Sequence, residues 1–141
     1  MFKKFALIII LVFVFSYSCK KDEAETIPYV YVNFYIQPNS TMYNHLNVVG
    51  GWEYITGGYS GIVVYRQSQD IFLAFDRACP YDFKNGCRIT VEPSFTTAID
   101  SCCKSRFIIA MDGSPISGSL ATVSLKQYQT QYDGTNLHVY N

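Results

Sequence analysis

The sequence is poor in histidine and in charge, and it contains no helical pattern longer than two turns. Its 141 residues include only two histidines, His45 and His138, and charged side chains make up 16%. Neither histidine lies beside a cysteine or in a nucleophile motif, so catalytic residues are not predicted. Without Lys3 and Lys4, nine basic residues remain against eleven acidic ones, and no basic stripe exists. Nucleic-acid binding therefore has little support.

Long hydrophobic runs are also scarce, and the only one lies near the N-terminus. Phe5–Phe15 is an unbroken apolar run of 11 residues that follows two lysines. A helix of that length is too short to cross a hydrocarbon core of about 30 Å, and these flanks are typical of a signal peptide. Small residues then precede Cys19, in an order that resembles the lipobox of bacterial lipoproteins. The resemblance implies cleavage after residue 18 and a lipid-anchored Cys19, whereas an ordinary cleaved signal is the alternative.

A charged segment follows the cysteine. Residues 19–27 begin with CKKDEAE, which has no strand or helix pattern and is predicted to be a tether between membrane and domain. Lys-Asp-Glu at this place resembles the export signal of surface lipoproteins in Bacteroidetes, and a plain solvated linker is the alternative. We expect attachment to the outer membrane or cell surface, with a periplasmic face as a second arrangement.

The rest of the chain, residues 28–141, is rich in aromatic and β-branched residues in short alternating runs, which indicates strands. Turn residues separate these runs, and a final hairpin is expected around residues 133–136. The pattern predicts an all-β domain of small antiparallel sheets. The other predicted strands are Tyr29–Ile36, Gly61–Arg66, Ile71–Asp76, Arg88–Val91, Thr96–Ile99 and Phe107–Ala110. Some of the many aromatic side chains are expected to form a surface for a protein or glycan partner.

Four cysteines remain beyond Cys19, in two loops between predicted strands: Cys79, Cys87, Cys102 and Cys103. An even number in an exported chain favours disulfides, and four cysteines allow three pairings. A bond between the adjacent Cys102 and Cys103 would be strained, and both other pairings join the two loops. The carboxylates Asp76, Asp82 and Asp100 are expected near these loops, where capping of turns is the simplest role.

The order of features from about residue 48 resembles the Rieske iron–sulfur domain, in which two cysteine loops stand at one end of stacked antiparallel sheets. The segment SRF at Ser105–Phe107, followed by DG, SGS and two closing strands, sets the register. In that register Cys79 and Asp100 stand at the cysteine-ligand positions, and Tyr81 and Cys103 stand at the histidine-ligand positions. Lys104 replaces a glycine of the second loop. Only Cys79 keeps the family's ligand type.

The resemblance also implies how the cysteines are used. Cys87 and Cys102 match the two non-ligand cysteines, which form a disulfide in family members that have them. Cys79 and Cys103 are then expected to form a second disulfide in place of the cluster; the alternatives are that they bind a metal with Asp100 or Tyr81, or that they stay free thiols. A site of four cysteines, with zinc or a [2Fe–2S] cluster, is less favoured because Cys102 and Cys103 are adjacent.

These expectations define a function and its competitors. The favoured interpretation is a non-enzymatic envelope lipoprotein without a cofactor, whose iron–sulfur site is degenerate and replaced by disulfides. The alternative is an electron-transfer or metal-binding protein with an altered cysteine-rich ligand set for iron–sulfur or zinc. An accessory domain of an oxidoreductase follows only from the family resemblance.

Overall fold

The structure, a computed structural model, describes residues 26–141. These residues form nine strands and two short 3-10 helices, Thr41–Asn47 and Phe83–Asn85. The strands are β1 Asn33–Ile36, β2 Trp52–Ile55, β3 Ile62–Arg66, β4 Phe72–Asp76, β5 Ile89–Val91, β6 Thr97–Asp100, β7 Arg106–Ile108, β8 Gln127–Tyr132 and β9 Leu137–Tyr140. The signal segment, Cys19 and most of the predicted tether lie outside the described residues. Within residues 26–141, no helix is long and apolar enough to span a bilayer.

All strand pairs are antiparallel, and they form two sheets. The larger sheet has the order β1-β9-β8-β4-β3-β2, and the smaller one has the order β5-β6-β7. The predicted fold class is confirmed: the domain is all-β, it consists of small antiparallel sheets, and its cysteine loops lie at one end.

All five residues of strand β3 are buried, so both faces of this strand are covered by other parts of the domain. Ile62 and Val64 on one face join a core with β1, β8 and β9. Val63 and Tyr65 on the other face pack with the buried residues of the smaller sheet. Side chains alternate along a strand, so a continuous apolar run is what burial on both faces requires. Strand β3 therefore contributes side chains to both cores.

The predicted strands differ from the observed ones mainly at the ends and at one omission. The first strand was predicted from Tyr29 but begins at Asn33, because the side chain of Asn141 bonds the backbone of Val32 and Val30 where a strand partner would. Strand β2 was not predicted, since WEYI is only half-buried and does not alternate. The predicted hairpin of β3 and β4 is confirmed.

A buried carboxylate fixes the turn before β3 to the end of β4. Asp76 is fully buried and accepts backbone N–H groups from Tyr59, Ser60 and Ala78 together with the hydroxyl of Tyr128. The predicted role in turn capping thus applies to Asp76, and burial beside this carboxylate raises the pKa of Tyr128. All four donors depend on one carboxyl group as their acceptor.

Replacing this carboxylate by an amide should therefore lower stability. An asparagine brings two donors where only acceptors are needed, so we expect Asp76→Asn to lower the free energy of unfolding by about 2 kcal/mol. Urea unfolding measures the change. The exposed Asp70 provides the control, and Asp70→Asn should change stability by less than about 0.5 kcal/mol. Equal effects of the two variants would contradict this role.

Candidate metal centre

Two loops at one end of the domain carry all four cysteines of the described chain. The first cysteine loop, residues 77–88, joins β4 to β5, and the second cysteine loop, residues 101–105, joins β6 to β7. A disulfide links Cys87 to Cys102 with a Cα–Cα distance of 6.0 Å, which is the pairing that the family resemblance implied. In the chain-entropy model a closed loop of this size stabilises the fold by about 3 kcal/mol.

The other two cysteines face each other without a bond. Cys79 is fully buried and Cys103 is half-buried, and their sulfur atoms lie 3.5 Å apart. The second predicted disulfide is therefore not formed in this structure, because bonded sulfurs would be about 2.05 Å apart. The thiol of Cys103 instead donates to the hydroxyl of Ser105 at 3.1 Å.

Two carboxylates lie beside the thiols, each with one buried oxygen that has no hydrogen-bond partner. Asp100, the last residue of β6, is fully buried, and its Oδ1 accepts the N–H groups of Cys102 and Cys103 at 2.7 and 2.9 Å. Its Oδ2 has no partner, and neither has Oδ1 of Asp82. A buried polar atom without a partner costs about 1–3 kcal/mol, so native structures rarely leave one without a role.

The four side chains converge on one small volume. One ligand atom each from Cys79, Asp82, Asp100 and Cys103 lies within 4.8 Å of the other three. Two sulfurs on a tetrahedral zinc ion, each about 2.3 Å from the metal, are about 3.8 Å apart. The observed 3.5 Å between the thiols is close to that value. The arrangement has the dimensions of a site for a single ion.

A Rieske-type [2Fe–2S] cluster does not fit these residues. Such a cluster needs two thiolates on one iron and two imidazoles on the other, at opposite ends of its core. Here no histidine is present in the group, and all four donors surround one point. His138 instead stacks between Tyr35 and Tyr140, and His45 pairs with Glu53 at 3.3 Å. Both histidines lie outside the site, as the sequence predicted.

The electrostatics around these four side chains favour a bound cation. Burial is the largest cause that raises the pKa of the Cys79 thiol; a hydrogen bond from the Tyr81 backbone opposes it, and Cys103 and Asp82 reinforce it. Two carboxylates and two sulfurs thus share one volume. A divalent ion would balance this charge and release the thiol protons on binding.

The second cysteine loop has a glycine-like backbone conformation at Lys104, the position where the Rieske resemblance places a glycine. Lys104 has φ +61°, in the left-handed region that a lysine rarely adopts. Its ammonium donates to the carbonyl of Ser101 at 2.6 Å, and Ser105 accepts the N–H of Ala121 at 3.0 Å. These contacts hold the loop so that Cys102 faces Cys87 while Cys103 faces Cys79.

Of the sequence-predicted ligands, Cys79, Cys103 and Asp100 lie together, whereas the side chain of Tyr81 is 56% exposed. Asp82, which the sequence had placed only near the loops, supplies the fourth donor. The chain turns into the helix Phe83–Asn85 directly after Asp82, and this turn directs Asp82 inward.

If the role of Asp82 is to bind a metal, replacing its carboxylate by an amide should stabilise the metal-free domain. We expect Asp82→Asn to raise the free energy of unfolding without metal by about 1 kcal/mol, since the buried oxygen loses its charge. Chemical denaturation in the presence of a chelator measures this, with Asp70→Asn as the exposed control. A destabilised Asp82→Asn variant would show that the carboxylate has a structural partner instead.

Comparisons with known proteins give fold similarity only. No family model matches the chain, and no curated protein matches it. A chain from the complex of reduced oxygenase and oxidised ferredoxin in carbazole 1,9a-dioxygenase is similar at a TM-score of 0.49 and 15% identity, over 75% of this chain and 92% of that one. The ferredoxin of carbazole 1,9a-dioxygenase from Nocardioides aromaticivorans IC177 is similar at a TM-score of 0.44 and 16% identity, over 65% and 86%. These similarities concern the fold and assign no role to the four side chains of the site.

Proposed function

We propose that this chain is a non-enzymatic lipoprotein of the cell envelope whose Rieske-like domain binds one divalent transition-metal ion. The ligands are Cys79, Asp82, Asp100 and Cys103. The observation that carries the proposal is the group of four donor atoms within 4.8 Å of one another, in which Asp100 also has a buried oxygen without a hydrogen-bond partner. An uncompensated group of this kind is explained by an ion that uses it as a ligand.

Zinc suits these donors better than the other common ions. It accepts thiolate and carboxylate ligands together in a tetrahedral site, whereas magnesium and calcium prefer oxygen alone. Four protein ligands also close the coordination sphere, which is the pattern of structural zinc rather than catalytic zinc. For this reason the proposed role is to stabilise the two cysteine loops, and no reaction is assigned to the site.

The Rieske-like part of the proposal has support within the chain itself. The Cys87–Cys102 disulfide joins the loops at the two positions that the resemblance assigned to it. Lys104 adopts a glycine-like backbone conformation at the place of the family's glycine. In this proposal the fold keeps the family's bracing disulfide, and a single-ion site stands where the family holds its cluster.

The test is the composition of the full-length protein purified without oxygen, reductant or chelator. Native mass spectrometry should find one zinc ion per chain and one disulfide, and Co²⁺ in place of zinc should give the visible absorption of tetrahedral thiolate coordination. A chain with two disulfides and no metal would instead support the favoured sequence interpretation. A brown protein with two irons and acid-labile sulfide would contradict both.

A further inference from the structure

An exposed apolar face lies where the described chain begins. It surrounds a depression of about 450 Å³ whose lining includes Thr26, Ile27, Pro80, Tyr81, Val123 and Lys126. The side chains of Tyr81 and Val123, which both line it, are 56% and 59% exposed. We call this surface the anchor-side face.

The position of the anchor-side face limits its distance from the proposed lipid. Thr26 lines the face, and Lys126 holds the incoming chain through a bond from its ammonium to the carbonyl of Pro28 at 3.2 Å. Cys19 and Thr26 are only seven positions apart, with six residues between them. A fully extended stretch of that length spans at most about 25 Å. A lipid on Cys19 would therefore keep this face close to the bilayer.

The chemistry of the face suits the boundary between headgroups and acyl chains. Tyrosine is enriched at that depth, and aliphatic side chains gain by leaving water there. Among the lining residues that the structure describes, Lys126 is the one charged residue, and its positive charge suits anionic headgroups.

A second apolar groove provides the contrast. It lies around Val49, Trp52 and Phe95, next to the turn between β5 and β6. That turn precedes β6, and the second cysteine loop follows it. The two lie at opposite ends of the strand, so this groove lies away from the second cysteine loop. Among the described residues that line the groove, none precedes His45. Val49 is 59% exposed, as is Val123, so the two valines form a matched pair.

We propose that the anchor-side face rests on the membrane surface, with Tyr81 and Val123 inserted at the headgroup boundary. The inference rests on the proposed lipidation of Cys19. It places the first cysteine loop toward the bilayer, since Pro80 and Tyr81 follow directly after Cys79. The groove around Val49 faces away from the membrane in this arrangement.

The test uses the full-length lipoprotein in vesicles of phosphatidylethanolamine and phosphatidylglycerol, compared with the same protein in detergent. Hydrogen exchange should be slowed by vesicles around Tyr81 and Val123 and be unchanged around Val49. Val123→Asp should remove this protection and Val49→Asp should keep it, and thermal unfolding checks that both variants are folded. Mass spectrometry of the intact chain reports the lipid separately.

Each failure has its own signature. A lipidated chain with no vesicle-dependent protection overturns the docking proposal and leaves the anchor proposal intact. A chain without a lipid overturns both. Equal protection in detergent would mean that a second copy of the chain, and not the bilayer, covers the face, and this also overturns the proposal.

Discussion

Replacing Cys79 by serine should lower zinc affinity by more than about 100-fold, because even residues behind the ligands change metal affinity by about 10–100-fold. The Cys79 sulfur is fully buried and lies 3.5 Å from the sulfur of Cys103. A serine hydroxyl keeps its proton at neutral pH, so it cannot replace the thiolate as a ligand. Competition with a chromophoric chelator measures the affinity.

The other two cysteines provide the matched control. The double variant Cys87→Ser with Cys102→Ser removes the disulfide and should lower the free energy of unfolding by about 3 kcal/mol. It should still bind one zinc ion per chain, since neither sulfur belongs to the group of four donors. If this variant lost zinc while Cys79→Ser still bound it, the metal would be held by Cys87 and Cys102, and the proposed ligand set would be wrong.

The disulfide and the proposed metal site both depend on one local feature, the adjacency of Cys102 and Cys103. Cys102 bonds to Cys87 in the first cysteine loop, and Cys103 faces Cys79 in the same loop. Asp100 receives both of their N–H groups, which fixes the turn that points the two sulfurs apart. The adjacency that argued against a site of four cysteines thus allows one disulfide and one pair of ligands.

Much of the fold was accessible from the sequence because strand burial has a simple signature. The run IVVYR predicted a strand, and its burial on both faces explains why it does not alternate. The omitted strand WEYI gave no such signal, since its residues are mostly half-buried. Its place in the sheet comes from pairing with Ile62–Arg66, which is a tertiary effect.

The site was accessible only in part. Register against the family placed Cys79, Asp100 and Cys103 together, but it put Tyr81 where the structure has Asp82. Successive side chains of a loop point in different directions, and only the turn into Phe83–Asn85 decides which one faces inward. Whether two nearby cysteines are bonded depends on distances of about 1–2 Å, which no residue pattern specifies.

The thiol pair leads to the last prediction, that oxidation and metal binding exclude each other. A soluble disulfide oxidant can accept two electrons and two protons from Cys79 and Cys103, so that one new protein disulfide forms and the oxidant becomes two thiols. Both sulfurs are then lost as thiolate ligands, although Cys87–Cys102 is unchanged. With Cys19 lipidated as proposed, we expect the metal-free chain to fall from two titratable thiols, Cys79 and Cys103, to none and to lose zinc binding completely.

Zinc should protect the pair, because a sulfur held by the metal is not free to attack the oxidant. The half-exposed Cys103 is the thiol that an oxidant reaches first, whereas Cys79 is buried and its pKa is raised by burial. Thiol titration of the unfolded chain after timed exposure should therefore find two thiols in the zinc-loaded protein when the metal-free protein has none. Oxidation at the same rate with and without zinc would contradict ligation by these two cysteines, even if zinc binds elsewhere.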